Sequence, residues 1–376
     1  MSIKKVLKNI NIQWGLAFIL LSACVDSVHF DVPPADLQFV VEGMITDGPA
    51  PYTVKVSTAL NLSADSLSRP PVEKAKVKLY DDEGHDETLV EINPGEYLTT
   101  GIIMGKVGHS YYITIETTDG RKFQSTPDTI YPVGEIDSIR YEFEARTKEE
   151  EYGDVKADVF NIYVDANAGN GDENFVRWRF NGTYKVLTNP ELRETKIMEF
   201  TIKDPLPCSG YIVSPAPGGG KLEQVADCTC CTCWAKNYET MPQLSDVQLI
   251  NNNQFKNIKV AEVPINQATF YDKYRVEIEQ MSLSKMAFDF FKLIRTQKEG
   301  ASNIFQPPSG EIKGNVTSVS SSDRVIGIFW ATSLKSKSLY INRSEVPYKL
   351  PPIYYVTDKC TNYYANSSTA KPTFWE

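Results

Sequence analysis

The sequence predicts a mainly β protein: an N-terminal Ig-like β-sandwich followed by a larger β-rich domain with one amphipathic helix. Three observations carry that expectation. Short segments alternate apolar and polar residues with a period of two. Gly, Pro, Asn and Asp punctuate those segments about every 8–12 residues. Helical periodicity of useful length occurs once in the chain. A length of 376 residues is too great for one ordinary domain and suits two.

Residues 1–23 read as an export signal. Lys4, Lys5 and Lys8 form a positive start, the run from Trp14 to Leu21 is apolar, and Ser22-Ala23 supplies the small residues before Cys24. The apolar run is far shorter than the roughly 20 residues that span a bilayer. Leu21-Ser22-Ala23-Cys24 resembles the bacterial lipobox. That resemblance implies cleavage before Cys24 and a diacylglycerol on its sulfur, because a thiolate is nucleophilic enough to take the lipid. Residues 24–36 are then a lipidated tether stiffened by Pro33-Pro34.

Residues 37–132 alternate strand and turn. Leu37 to Val41, Tyr52 to Ser57, Ala75 to Tyr80, Thr88 to Ile92, Tyr111 to Thr117 and Arg121 to Ser125 are the expected strands. Asp81 to Gly84, Asn93-Pro94-Gly95 and Asp119-Gly120 are turns. This is the pattern of an antiparallel sandwich. Pro127 to Val133 reads as a linker.

Residues 133–376 form the second region. Ile136 to Ala145 alternates. Val159 to Val164 and Phe175 to Phe180 look like paired strands joined by a solvated hairpin loop. Lys259 to Val263, Tyr274 to Gln280, Ile312 to Val316 and Val325 to Thr332 are further strands. Leu283, Met286, Ala287, Phe290 and Ile294 repeat with helical spacing behind Ser282 as the expected N-cap, and Gly300 is the expected stop. That stripe reads as core packing.

Composition narrows function. Hydrophobic residues make up 41% and aromatics 11%, enough for true cores and against wholesale disorder. The net charge is −9, and removing residues 1–23 deletes three lysines and no acid, leaving −12. A polyanion without a basic stripe does not seek phosphate backbones, so nucleic-acid binding is not expected.

The cysteines are the unusual feature. Cys228, Cys230, Cys231 and Cys233 occupy six consecutive positions, with Cys208 upstream and Cys360 far downstream. Outside the cytoplasm the expected fate is disulfides. If Cys208 and Cys360 both pair into the cluster, two cluster cysteines bond locally, stay free or bond another chain; a bond between the neighbours Cys230 and Cys231 is strained. The competing reading is a thiolate site for a soft metal ion, or redox work. A weaker candidate is the 165–173 loop as a calcium site, using Asp165, Asn167, Asp172 and Glu173; Gly169 and Asn170 break the EF-hand pattern. The catalytic templates for serine hydrolases, zinc proteases, phosphate-binding loops and dinucleotide folds are missing. The three histidines, His29, His85 and His109, all lie in the first third. A non-enzymatic protein without a cofactor is therefore expected.

Several motifs in order carry a family resemblance. They are Val40-Val-Glu-Gly-Met-Ile-Thr-Asp-Gly48, Pro51-Tyr-Thr-Val-Lys-Val56, Phe175-Val-Arg-Trp-Arg179, Cys233-Trp234, Phe305-Gln-Pro-Pro308, Ile312-Lys-Gly-Asn315, Gly327-Ile-Phe329 and Lys371-Pro-Thr-Phe-Trp375. With the lipobox, the chain resembles a Bacteroidota family of envelope lipoproteins known as domain of unknown function 4249. The resemblance implies an outer-membrane, surface-facing lipoprotein working beside a TonB-dependent transporter, binding the receptor, its ligand or both. It carries no activity over. Relatives often have a second cysteine just after the position of Cys360, where this chain has Tyr363 nearby; a partner for Cys360 in the 228–233 cluster becomes the more natural pairing. The alternatives to an accessory or binding role are soft-metal or redox work by Cys228–Cys233, and a carbohydrate- or peptide-acting surface hydrolase with carboxylates assembled by the fold.

Overall fold

A computed structural model describes residues 38–59, 69–150, 153–169, 175–216, 220–245, 250–251, 253–301, 312, 314–319, 323–352 and 354–376. The signal 1–23, Cys24 and the 24–36 tether, His29, Asp172, Glu173 and the 305–308 motif lie outside the described residues. Among the described residues no helix is long and apolar enough to cross a membrane.

The fold is mainly β, as two sandwiches. In the first, one sheet runs Val325–Thr332, Phe39–Thr46, Thr53–Thr58, Glu96–Leu98, Val90–Asn93. The facing sheet runs Val316–Ser318, Lys122–Ser125, Ser110–Glu116, Lys76–Asp81, Asp86–Thr88. Alternate residues of each strand (Val41 and Ile45, Val54 and Val56, Val77 and Leu79, Ile113 and Ile115) point inward into one core, as a period-two pattern requires. Burying each such side chain contributes about 1.5–3 kcal/mol.

Three expectations change here. The sandwich is not completed within 37–132: Val325–Thr332, expected in the second region, and Val316–Ser318, which begins where the expected Ile312–Val316 strand ends, are edge strands of its two sheets. Val325–Thr332 runs parallel to Phe39–Thr46, a pairing that only a long crossover permits. Thr88 to Ile92 is not one strand. The chain switches sheets at buried Leu89, so Asp86–Thr88 pairs in one sheet and Val90–Asn93 in the other. Residues 127–133 are not a free linker. Asp128–Thr129 pairs with Ser110–Glu116, Ile130 is fully buried, and Asp128 Oδ2 accepts the Ala331 N–H at 2.8 Å. Burial pushes the Asp128 carboxyl up, against hydrogen bonds from the Ser284 hydroxyl and the Ala331 and Thr129 N–H groups.

In the second sandwich, one sheet runs Ile136–Glu144, Val159–Asn167, Gln254–Pro264, Ile250–Asn251. The other runs Leu334–Asn342, Lys273–Ser282, Val176–Leu187, Thr232–Tyr238, Ser367–Ser368, with Gln243–Leu244 also on Val176–Leu187. The strands at 159 and 175 are therefore not paired; they lie in opposite sheets with Ile162, Val164, Trp178 and Phe180 in one core. Both are apolar on the inward face, which fits facing sheets as well as it fits a hairpin. The connection between them crosses from one sheet to the other. Gln280 fastens that crossing. Its oxygen takes the Trp178 Nε1–H at 2.7 Å, and its amide donates to the carbonyls of Gly134 (2.8 Å) and Asn167 (2.9 Å). Hydrogen bonds to all its groups offset the desolvation cost of this buried amide, which fixes the register of what it joins.

The helix is Lys285–Ala301. Its cap is Ser284 rather than Ser282: Ser284 Oγ accepts the Ala287 N–H at 3.2 Å, while Ser282 belongs to the preceding strand. Leu283, Ala287, Phe290 and Phe291 pack on Ile328, Trp330 and Leu244, a third core that touches both sandwiches. The strand Val325–Thr332 is thus covered on both sides. Phe329 and Ala331 face the first sandwich, and Ile328 and Trp330 face the helix.

Candidate functional site

The third core stops short of filling its space. Between the helix, the Val325–Thr332 strand and the turn after Thr232–Tyr238 lies a cleft of about 500 Å³. Period two on the strand aims Ile326, Ile328 and Trp330 at it, and helical period aims Phe290, Phe291 and Ile294 from the other side. Arg177 rises from the start of Val176–Leu187 and pairs with Glu239. The Arg177 guanidinium lies 4.1 Å from the centre of the Phe291 ring, a cation–π contact.

Three buried polar atoms of this lining, Arg177 Nε, Glu239 Oε2 and Trp330 Nε1, have no hydrogen-bond partner among the described residues. Each such atom costs about 1–3 kcal/mol to leave unpaired in the interior. Two donors and one acceptor in an apolar cleft are the composition of a ligand site: apolar walls for affinity and a few polar groups for orientation. A second carboxylate, Glu42, also lines the cleft. Glu239 has one oxygen engaged by Arg177.

The strands that build this cleft are those of the motif run from Val40 to Gly327. A family model described as Domain of unknown function (DUF4249) matches residues 25–338. The chain belongs to that family. No curated protein and no solved structure matches it.

The remaining sequence candidates of this DUF4249 chain lie elsewhere. Its six described cysteines pair as Cys208–Cys230, Cys228–Cys231 and Cys233–Cys360. Two bonds fall within the 208–231 stretch, and the third ties the C-terminal segment to Thr232–Tyr238. Cys233 and Cys360 are fully buried, and the Cys360 N–H also donates to the Cys230 carbonyl at 3.1 Å. With every sulfur bonded to another, the cluster offers no thiolate to a soft ion in this arrangement. In the 165–173 loop, Asp165 Oδ1 accepts the Asn257 N–H at 2.7 Å and Oδ2 the Ser138 hydroxyl at 3.1 Å. Asn167 Oδ1 accepts the Gly169 N–H at 2.8 Å. Asp165 thus ties its strand to both neighbours in one sheet, and Asn167 closes a local turn. Asp172 and Glu173 lie outside the described residues.

His85 and His109 come together at a tip of the first sandwich. The His85 ring bonds to Asp81 at 2.8 Å and the His109 ring to Asp82 at 2.9 Å. The Asp81 hydrogen bond pushes the His85 imidazole above its ordinary range. Burial works to raise Asp81, but the His85 ring and the N–H groups of His85 and Glu83 hold it below the usual carboxylate range.

Sequence reasoning did not find the cleft. Its polar members, Arg177 and Glu239, are far apart in the chain, and only the pairing of strands at 177 and 243 brings them together. The one available signal was Arg177 and Arg179 within an otherwise inward-alternating apolar strand.

Proposed function

We propose that this chain is an outer-membrane lipoprotein whose folded body binds, without converting, an amphipathic ligand, and that it does so beside a TonB-dependent transporter. The observation that carries the binding role is the cleft, with its apolar walls and three buried polar atoms that have no partner among the described residues. Placement outside the cytoplasm rests on the lipobox resemblance of residues 21–24 and on the three disulfides, which persist in oxidising compartments. The transporter as partner rests on the family resemblance.

The test uses the full-length protein extracted from outer membranes in mild detergent. Mass spectrometry of the purified material should find an outer-membrane receptor and a bound small molecule. Arg177→Met should retain the receptor and lose the small molecule. Cys24→Ser should move the protein out of the membrane fraction. Recovery with no receptor overturns the accessory role, and a cleft variant that keeps its small molecule overturns the site. Turnover of an oligosaccharide or peptide by the purified protein would replace binding with hydrolysis.

A further inference from the structure

The neighbouring strands Lys76–Asp81 and Ser110–Glu116 bring two turns to one tip of the first sandwich. Five ligand-type side chains meet there. His85 Nδ1 lies 2.8 Å from Asp81 Oδ2 and 3.8 Å from Glu83 Oε2. His109 Nδ1 lies 2.9 Å from Asp82 Oδ1 and 3.8 Å from Glu83 Oε1. Glu83 therefore stands between two imidazoles contributed by separate turns. One ligand atom from each of Asp81, Glu83 and His85 lies within 4.8 Å of the other two. A cavity of about 290 Å³ opens beside them, walled by Ile102, Ile103 and Met104.

Three carboxylates alone would be an ordinary solvated turn. The histidines change the chemistry. Both rings turn Nδ1 toward the carboxylates, and these are two of only three histidines in the chain. Three carboxylates beside two imidazoles bring both oxygen and nitrogen donors to one place. Mixed nitrogen and oxygen donors select borderline-soft ions over calcium or magnesium, which prefer oxygen alone. Bond lengths of about 2.0–2.2 Å in tetrahedral geometry place neighbouring ligand atoms of such an ion about 3.4 Å apart. The separations of 2.8 and 3.8 Å from His85 Nδ1 fall on either side of that spacing. Asp81 is already oriented: its other oxygen accepts the N–H groups of Glu83 at 3.0 Å and His85 at 2.8 Å. Supporting hydrogen bonds of this kind hold ligands in place at metal sites.

We propose that Asp81, Glu83 and His85 bind one divalent transition-metal ion, zinc being the best match, with His109 as the fourth ligand after a side-chain rotation. The site is separate from the cleft, and its fate does not depend on the proposed function.

Isothermal titration of metal-free, detergent-solubilised full-length protein with zinc chloride tests it. One zinc per chain is expected, with affinity reduced at least tenfold in His85→Ala and less in His109→Ala, and no saturable heat from calcium chloride. His85 is exposed and His109 half-buried, and an unchanged metal-free melting temperature checks that the variants fold. The proposal is overturned if the wild type shows no saturable zinc binding, if His85→Ala binds as tightly as the wild type, or if calcium binds as well as zinc.

Discussion

The two sandwiches are held together by different means. The first has no disulfide among its described residues. It closes by recruiting the distant strands Val316–Ser318 and Val325–Thr332, and by buried polar locks such as Glu87. Glu87 accepts the N–H of Ile103 at 2.8 Å, the N–H of Gly101 at 3.0 Å, the Thr100 hydroxyl at 2.8 Å and the Thr100 N–H. The second sandwich carries all three disulfides. Two of them lie at the base of the hairpins Glu194–Lys203 and Tyr211–Gln224, which pair only with themselves. These hairpins have no core: Met198 is 93% exposed and Phe200 73%. A lone two-stranded hairpin is marginal in water. The lesson is that cross-links stand where the chain leaves its core, and long-range pairing suffices where apolar faces can be buried.

The sharpest way to break the comparison is at Gly327. It sits opposite Val41 in the parallel pair at φ +131°, where an added Cβ would lie 1.8 Å from the Val41 carbonyl oxygen. Only glycine permits that approach. Gly327→Val should lower stability by about 5 kcal/mol, the scale of the most damaging single substitutions. Urea unfolding measures it, and a midpoint near that of the wild type would contradict the parallel closure.

The disulfides come next. Cys233 and Cys360 are 127 residues apart, so the double Cys→Ala variant should lose about 4–5 kcal/mol through the freed loop. Cys228 and Cys231 are three apart, and their double Cys→Ala variant should lose about 2 kcal/mol. Equal losses in thermal unfolding would mean that loop length does not set the contributions.

Glu87→Gln should cost about 2 kcal/mol, as removal of charge-assisted hydrogen bonds does. Burial acts to raise the Glu87 carboxyl, but its hydrogen bonds from Ile103, Thr100 and Gly101 outweigh burial and hold it below the ordinary range. A lowered carboxyl stabilises the fold fully above the unfolded value of about 4.3, and that contribution is lost as pH falls through the folded value. Glu87→Gln should therefore flatten the acid limb of the stability curve. An unchanged limb would remove Glu87 from the account. The smallest effect is expected at the stapled hairpins: Phe200→Ser should change stability by no more than about 0.5 kcal/mol, because the ring buries little. A larger loss would give the hairpins a packing partner in the fold.

Legibility in the sequence followed the length over which a pattern is local. Val325–Thr332 was readable as a short continuous apolar run, and the helix stripe through Phe290 and Ile294 because side chains on a helix repeat every three to four residues. The true cap at Ser284, two residues past the expected Ser282, differs because Ser282 hydrogen-bonds the Tyr131 carbonyl at 2.6 Å, a contact between residues 151 apart. The small hairpins escaped notice because their outward apolar residues imitate no core pattern.

By itself the sequence determined the class of the protein: a mainly β chain with one long amphipathic helical stripe and a crowded run of cysteines. These rest on composition and on near-neighbour periodicity, which the chain carries wherever it folds. Only the tertiary structure decided which strands meet, which cysteines pair, and that Arg177, Glu239 and Trp330 share one cleft. A strand's alternation says which face is apolar but not what lies against it. Those choices are made among distant segments competing to bury the same surface.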